Sequence, residues 1–154
     1  MISITKGKKT EIKRCLVIAR SLPRHFTPKM LHSIRKDLAN HSFHVAKDDS
    51  GNILGFASVS RINKKVMEIR WLAVSKEYQR QGIGSAILVS ISKHFKSKGI
   101  KGILAKTLSE RVRYKPYNAS RGFLEKAGFI LLETIDPYPN WDPGNPCAIY
   151  GLFL

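Results

Sequence analysis

The stretch Gln79-Arg80-Gln81-Gly82-Ile83-Gly84 decides how this chain is read. It lies between an apolar, β-branched run, Val66 to Val74, and a segment with Ile83, Ile87, Leu88, Ile91 and Phe95 at helical spacing. The glycines allow a ligand to approach the backbone closely at the start of a helix. The first N–H groups of a helix have no partner of their own and sit at its positive end, so they attract an anion. Arg80 adds a full charge, and the amides of Gln79 and Gln81 add donors. A phosphate-bearing ligand is therefore expected. The Lys-Ser/Thr pair of a P-loop is absent, and Ile87 stands where a dinucleotide fingerprint needs a third glycine.

Outward from this loop, Ser75 to Gln81 is polar, Gly99 stops the helix, and Ile100 to Thr107 reads as a strand. Strand, loop, helix and strand imply parallel pairing with a right-handed crossover. Upstream, Ser42 to Lys47, Ile53 to Ile62 and Val66 to Val74 are separated by the turns Asp48 to Asn52 and Asn63 to Lys65, as in an antiparallel meander. Met1 to Ile4 is a candidate first strand. Ile12, Cys15, Leu16 and Ala19 mark a helix that Pro23 ends. Thr27 caps a second helix, with Pro28 in its first turn and Met30, Leu31, Ile34 and Leu38 on one face. Downstream, a short helix runs from Tyr117 or Asn118 to Lys126. Phe129 to Thr134 and Ala148 to Leu154 are strands flanking a Pro-rich loop, Asp136 to Pro146. The expected fold class is α+β, one domain over residues 1–154, with a mixed and mostly antiparallel sheet.

Composition bounds the function. With 154 residues and 43% apolar content the chain has enough material for one core. No signal-like segment or membrane-length apolar run occurs, so a soluble, cytoplasmic protein without a membrane partner is expected. Cys15 and Cys147 read as buried thiols, and neither they nor His41 and His44 make a metal pattern; no metal is expected. The net charge of +16 favours anionic partners. Nucleic acid as the main partner is disfavoured, because no interleaved aromatics, zinc pattern or helix-turn-helix accompany the charge.

The run Trp71 to Leu88 resembles the GCN5-related N-acetyltransferase family, whose signature Gln/Arg-x-x-Gly-x-Gly/Ala is filled by Gln79, Gly82 and Gly84. A second family element, Phe-Tyr-x-Lys-x-Gly-Phe, is matched by Phe123-Leu124-Glu125-Lys126-Ala127-Gly128-Phe129, with leucine in place of tyrosine. The resemblance spans roughly Ser42 to Phe129. It implies a splayed sheet flanked by helices, with acetyl-CoA as co-substrate in the gap between two parting parallel strands. The backbone of Leu72, Ala73 and Val74 would pair with the pantetheine arm. Gln79 and Arg80, with the backbone of Gln81, Gly82, Ile83, Gly84 and Ser85, would hold the pyrophosphate. Asn118 and Arg121 would touch the pantetheine or adenine side.

The implied reaction is direct transfer of acetyl to a primary amine of a small molecule or protein. An attacking amine must first lose a proton, and a lysine-like amine has a pKa near ~10.4. Glu68 is the candidate base, by its position in Met67-Glu68-Ile69-Arg70-Trp71 and by alternation, which would place it on the face of Leu72. Structural pairing with Arg70 is the competing role. The family's tyrosine acid is replaced by Leu124, which leaves Tyr117 as the candidate acid, then Tyr114 or solvent. Cys147 has no following histidine and is expected to be a core cysteine. The resemblance places the acceptor between Leu22 to Thr27 and Tyr138 to Pro146, where Tyr138 and Trp141 offer walls and Asp142 would suit a cationic amine. A monomer or homodimer is expected. The competing functions are a coenzyme A-binding protein with weak catalysis and a basic nucleic-acid-binding module.

Overall fold

The computed structural model describes all residues 1–154. Seven strands form one sheet: β1 (Ser3–Lys6), β2 (Ser42–Lys47), β3 (Ile53–Arg61), β4 (Val66–Val74), β5 (Gly102–Leu108), β6 (Ile130–Ile135) and β7 (Cys147–Phe153). Their order across the sheet is β1-β2-β3-β4-β5-β7-β6, and every neighbouring pair is antiparallel except β4 and β5. Four helices cover it: α1 (Ile12–Arg20), α2 (Pro28–Asn40), α3 (Ile83–Ser97) and α4 (Pro116–Lys126). No helix is long and apolar enough to cross a membrane.

The helices start where local chemistry allows. The Thr27 hydroxyl accepts from the Met30 N–H at 3.3 Å, and Pro28 opens α2 without wasting a donor. Helix α4 begins at Pro116 for the same reason, so Tyr117 lies in its first turn. The first strand is displaced from Met1–Ile4 to Ser3–Lys6 because β2 selects its register, Ser3 opposite Lys47 and Lys6 opposite His44.

Two cores sandwich the sheet. The larger joins α3 to one face through Ile87, Leu88 and Ile91 against Ala57, Val59, Ile69 and Ile103. The smaller seats α1 and α2 on the other face, through Leu16, Ile18, Ile34 and Leu38 against Phe43, Val45, Phe56 and Ala73.

A bulge in β4 changes which residues share a face. Ser58 pairs with Trp71 and Val59 with Ile69, so Arg70 is the extra residue. Beyond it the alternation is shifted by one. Trp71 and Ala73 pack with the α1–α2 core, whereas Leu72 and Val74 pack with the α3 core. Ser60, opposite Glu68, alternates with Ser58 and Phe56 on the α1–α2 side of β3. Glu68 therefore shares its face with Trp71 and not with Leu72. Simple alternation fails here because it assumes an uninterrupted strand.

Candidate active site

Strands β4 and β5 pair only from Val66 with Gly102 to Ile69 with Ala105. Past that point they part, and the ends Arg70–Val74 and Lys106–Leu108 face each other across a gap. β3 still holds the far edge of β4, through Phe56 with Ala73 and Gly55 with Val74, and β7 holds β5 along its whole length. A sheet that opens like this leaves room for an extended ligand to enter as an added strand.

The loop after β4 forms the mouth of the gap. Arg80 and Gly82 both adopt left-handed conformations, φ 63° and 82°. The strain at Arg80 is of order 1 kcal/mol, the usual cost of this conformation for a residue bearing Cβ. The first helical bond of α3 runs from the Ala86 N–H to the Gly82 carbonyl at 2.9 Å; ahead of it the N–H groups of Gln81 to Ser85 take no acceptor from the chain. These five consecutive donors at a positive helix end are suited to a pyrophosphate. The side-chain amides have other work. Gln79 donates to the Val74 carbonyl at 2.9 Å and Gln81 to the Glu77 carbonyl at 3.3 Å, so both shape the loop. Gly84 serves its own chain as well: a Cβ there would lie 3.1 Å from the Phe123 ring, so glycine lets α4 close on the first turn of α3.

Asn118 and Arg121 are brought together on α4. Arg121 is buried and donates to the Leu108 carbonyl at 2.7 Å and to the Asn118 side-chain oxygen at 2.5 Å. Arg121 thereby ties α4 to the end of β5 that lies beyond its pairing with β4. Leu124, at the position of the missing tyrosine, packs on the larger core.

Glu68 lies at the fork, on the α1–α2 face. It is buried, and its carboxylate meets Lys106 Nζ at 3.0 Å and Arg70 Nη1 at 4.0 Å. Lys106 is the first residue of β5 beyond the last pair with β4. Its ammonium lies 5.2 Å from the centre of the Tyr138 ring. Burial disfavours the Lys106 charge, yet bonding to Tyr138 and Glu68 outweighs it and holds the pKa above the usual lysine value. Asp37 of α2 completes the cluster, accepting from Arg70 Nε at 2.8 Å and from the Trp71 indole at 2.6 Å. Sequence reading missed Lys106 and Asp37. Their signals were the one charged residue in a mostly apolar strand and the one acid in α2.

Tyr117 lies close by but is engaged: its hydroxyl donates to the His25 carbonyl at 2.9 Å, and Tyr114 donates to the Arg24 carbonyl at 2.7 Å. With the 3.0 Å contact of His25 Nε2 and the Pro116 carbonyl, these bonds clip the α1–α2 loop to α4. Burial, then Tyr114, pushes the Tyr117 pKa up, so the phenol stays protonated at neutral pH. On the far side, Asp142 pairs with Lys29 at 3.1 Å, and Tyr138 meets Trp141 edge-on at 5.3 Å. Asp142 is therefore already matched by a cation. Cys147 is buried and its pKa is pushed up to about 11, chiefly by burial, so it is a neutral thiol and a poor nucleophile.

Comparison with known proteins agrees with this geometry. The model of the acetyltransferase (GNAT) family matches residues 13–129. Among solved structures, an acetyltransferase assigned to that family from Desulfovibrio desulfuricans superposes with a TM-score of 0.84 at 20% identity, covering 99% of both chains. A GNAT family acetyltransferase from Elizabethkingia anophelis, solved with acetyl-CoA bound, gives 0.74 at 19% identity, covering 99% of this chain and 98% of that one. The ribosomal-protein-S18-alanine N-acetyltransferase from Escherichia coli gives 0.78 at 18% identity, covering 99% and 94%. Among curated proteins none matches the chain.

Proposed function

Because the chain belongs to the acetyltransferase (GNAT) family, we propose that it binds acetyl-CoA in the gap between β4 and β5 and transfers the acetyl group directly to a primary amine. The observation that carries this reading is the fork itself: parallel strands that part beyond Ile69 and Ala105, below a loop with five unmatched N–H donors. The pyrophosphate lies on the backbone of Gln81 to Ser85, beside Arg80. The pantetheine arm runs along Leu72, Ala73 and Val74, with Gln79 shaping the turn by holding the Val74 carbonyl. Asn118 and Arg121 form the α4 side of the cofactor site.

Glu68 takes the proton of the attacking amine through an ordered water. The nitrogen then bonds to the thioester carbon and the C–S bond breaks. Tyr117 supplies the proton to the departing thiolate once its hydroxyl leaves the His25 carbonyl. Replacing it, Tyr117→Phe, is expected to lower kcat about tenfold with little change in the KM for acetyl-CoA; an unchanged kcat assigns that proton to solvent.

Saturating acetyl-CoA, at about 100 times its Kd, should stabilise the fold by ~2.7 kcal/mol. For a chain of this size that is a rise in Tm of roughly 5–10 °C. Gly84→Val, which forces Phe123 off the helix start, should remove most of the rise. Absence of any shift in the unaltered protein overturns cofactor binding. Leu124 and the engaged hydroxyl of Tyr117 favour a second reading, a protein that binds acetyl-CoA and scarcely transfers it. Thiol release with a panel of amines separates the two.

A further inference from the structure

The charges around Glu68 are arranged in a definite order of depth. Both acids of the cluster are the inner members of their pairs: the side chains of Glu68 and Asp37 are 8% and 13% exposed. Both cations are the outer members, Lys106 at 24% and Arg70 at 38%. Each acid is already engaged, Glu68 by Lys106 and Asp37 by Arg70 together with the Trp71 indole. The cations have donors to spare, since an ammonium carries three and a guanidinium five. Asp142, the carboxylate in the β6–β7 loop, is paired with Lys29.

We propose that the acceptor is a small amine carrying a carboxylate close to its reacting nitrogen, and that Arg70 and Lys106 receive that carboxylate. The proposal rests on the acetyl-transfer reading and adds the class of acceptor to it. A plain polycationic amine arriving at the fork meets two ammonium-like groups and no unmatched carboxylate, so it must displace an existing pair without a new partner. A carboxylated amine joins the cluster without breaking it: the new anion sits between two outward cations, and its nitrogen lies toward Glu68. The guanidinium fork of Arg70 suits two carboxylate oxygens at once. The bulge makes this possible, because it turns Arg70, Trp71 and Glu68 to one side of the sheet. The net charge of +16 works in the same direction by drawing anions toward the protein.

The test compares amines that differ only in the carboxylate: phenylalanine with phenethylamine and β-alanine with ethylamine, with spermidine as the polycation. Thiol release is followed at saturating acetyl-CoA, and acetyl-CoA binding is followed by thermal shift in the same samples. The carboxylated member of at least one pair is expected to have a kcat/KM at least about tenfold higher, through KM. Arg70→Gln should collapse that preference and Arg70→Lys should restore part of it. Equal or better use of the uncarboxylated amine in both pairs, or of spermidine over every carboxylated amine, overturns the proposal, as does a preference unchanged in both Arg70→Gln and Lys106→Met. Binding of acetyl-CoA with turnover of no amine overturns this inference and leaves cofactor binding standing. Absence of acetyl-CoA binding overturns both.

Discussion

Glu68→Gln is expected to lower kcat by about 10²–10⁴-fold, the range of a lost general base, while the KM for acetyl-CoA stays close to its original value. The substitution keeps the shape of the side chain and removes its ability to accept a proton. The Lys106 ammonium beside it loses its partner, and one of the two influences that raise the Lys106 pKa disappears. Part of the loss therefore comes from a disturbed neighbour. Undiminished thiol release by Glu68→Gln between pH 6 and 9 assigns Glu68 a structural role only.

The other large effect concerns stability. Phe56→Ala should cost about 3–5 kcal/mol, the range for emptying a buried phenylalanine site, and lower Tm by roughly 2–4 °C per kcal/mol. Phe56 is fully buried in the smaller core and pairs across β3 and β4 with Ala73. Because β5 does not reach this half of β4, β3 and the helices behind it are its main support. Affinity for acetyl-CoA should fall with the stability if the pantetheine arm lies along Leu72 to Val74 as proposed, since that strand edge is held from this side. Denaturant melts together with acetyl-CoA titration check it; a melt within 1 kcal/mol of the unaltered chain contradicts the packing described.

The loop and its flanking elements were legible because their causes are local. Gly82 sits at a left-handed position, Gly84 opens a helix, and an apolar β-branched run precedes them. Such features are set by residues a few positions apart. The cap at Thr27 and the hairpin turns belong to the same class, as does the parallel crossover that follows from strand, helix and strand. Tyr138, named as a wall of the acceptor side, lies over the Lys106 ammonium.

The chemistry of the fork belongs to tertiary structure. Glu68 meets Lys106 only because β4 and β5 pair in one particular register and then part. Arg70 and Trp71 converge on Asp37 only because the bulge is accommodated by β3 and α2 packs over it. The Tyr117 hydroxyl donates a hydrogen bond to the backbone carbonyl of His25, 92 residues away. Composition and spacing cannot rank such long-range pairs, since each depends on strand register and helix placement that the whole core sets. The sequence alone determined the family resemblance, the fold class and the place of the glycine loop between strand and helix. Which charges of the cluster lie outward, and which are held inward, was decided by packing, because burial and pairing exist only once distant segments have come together.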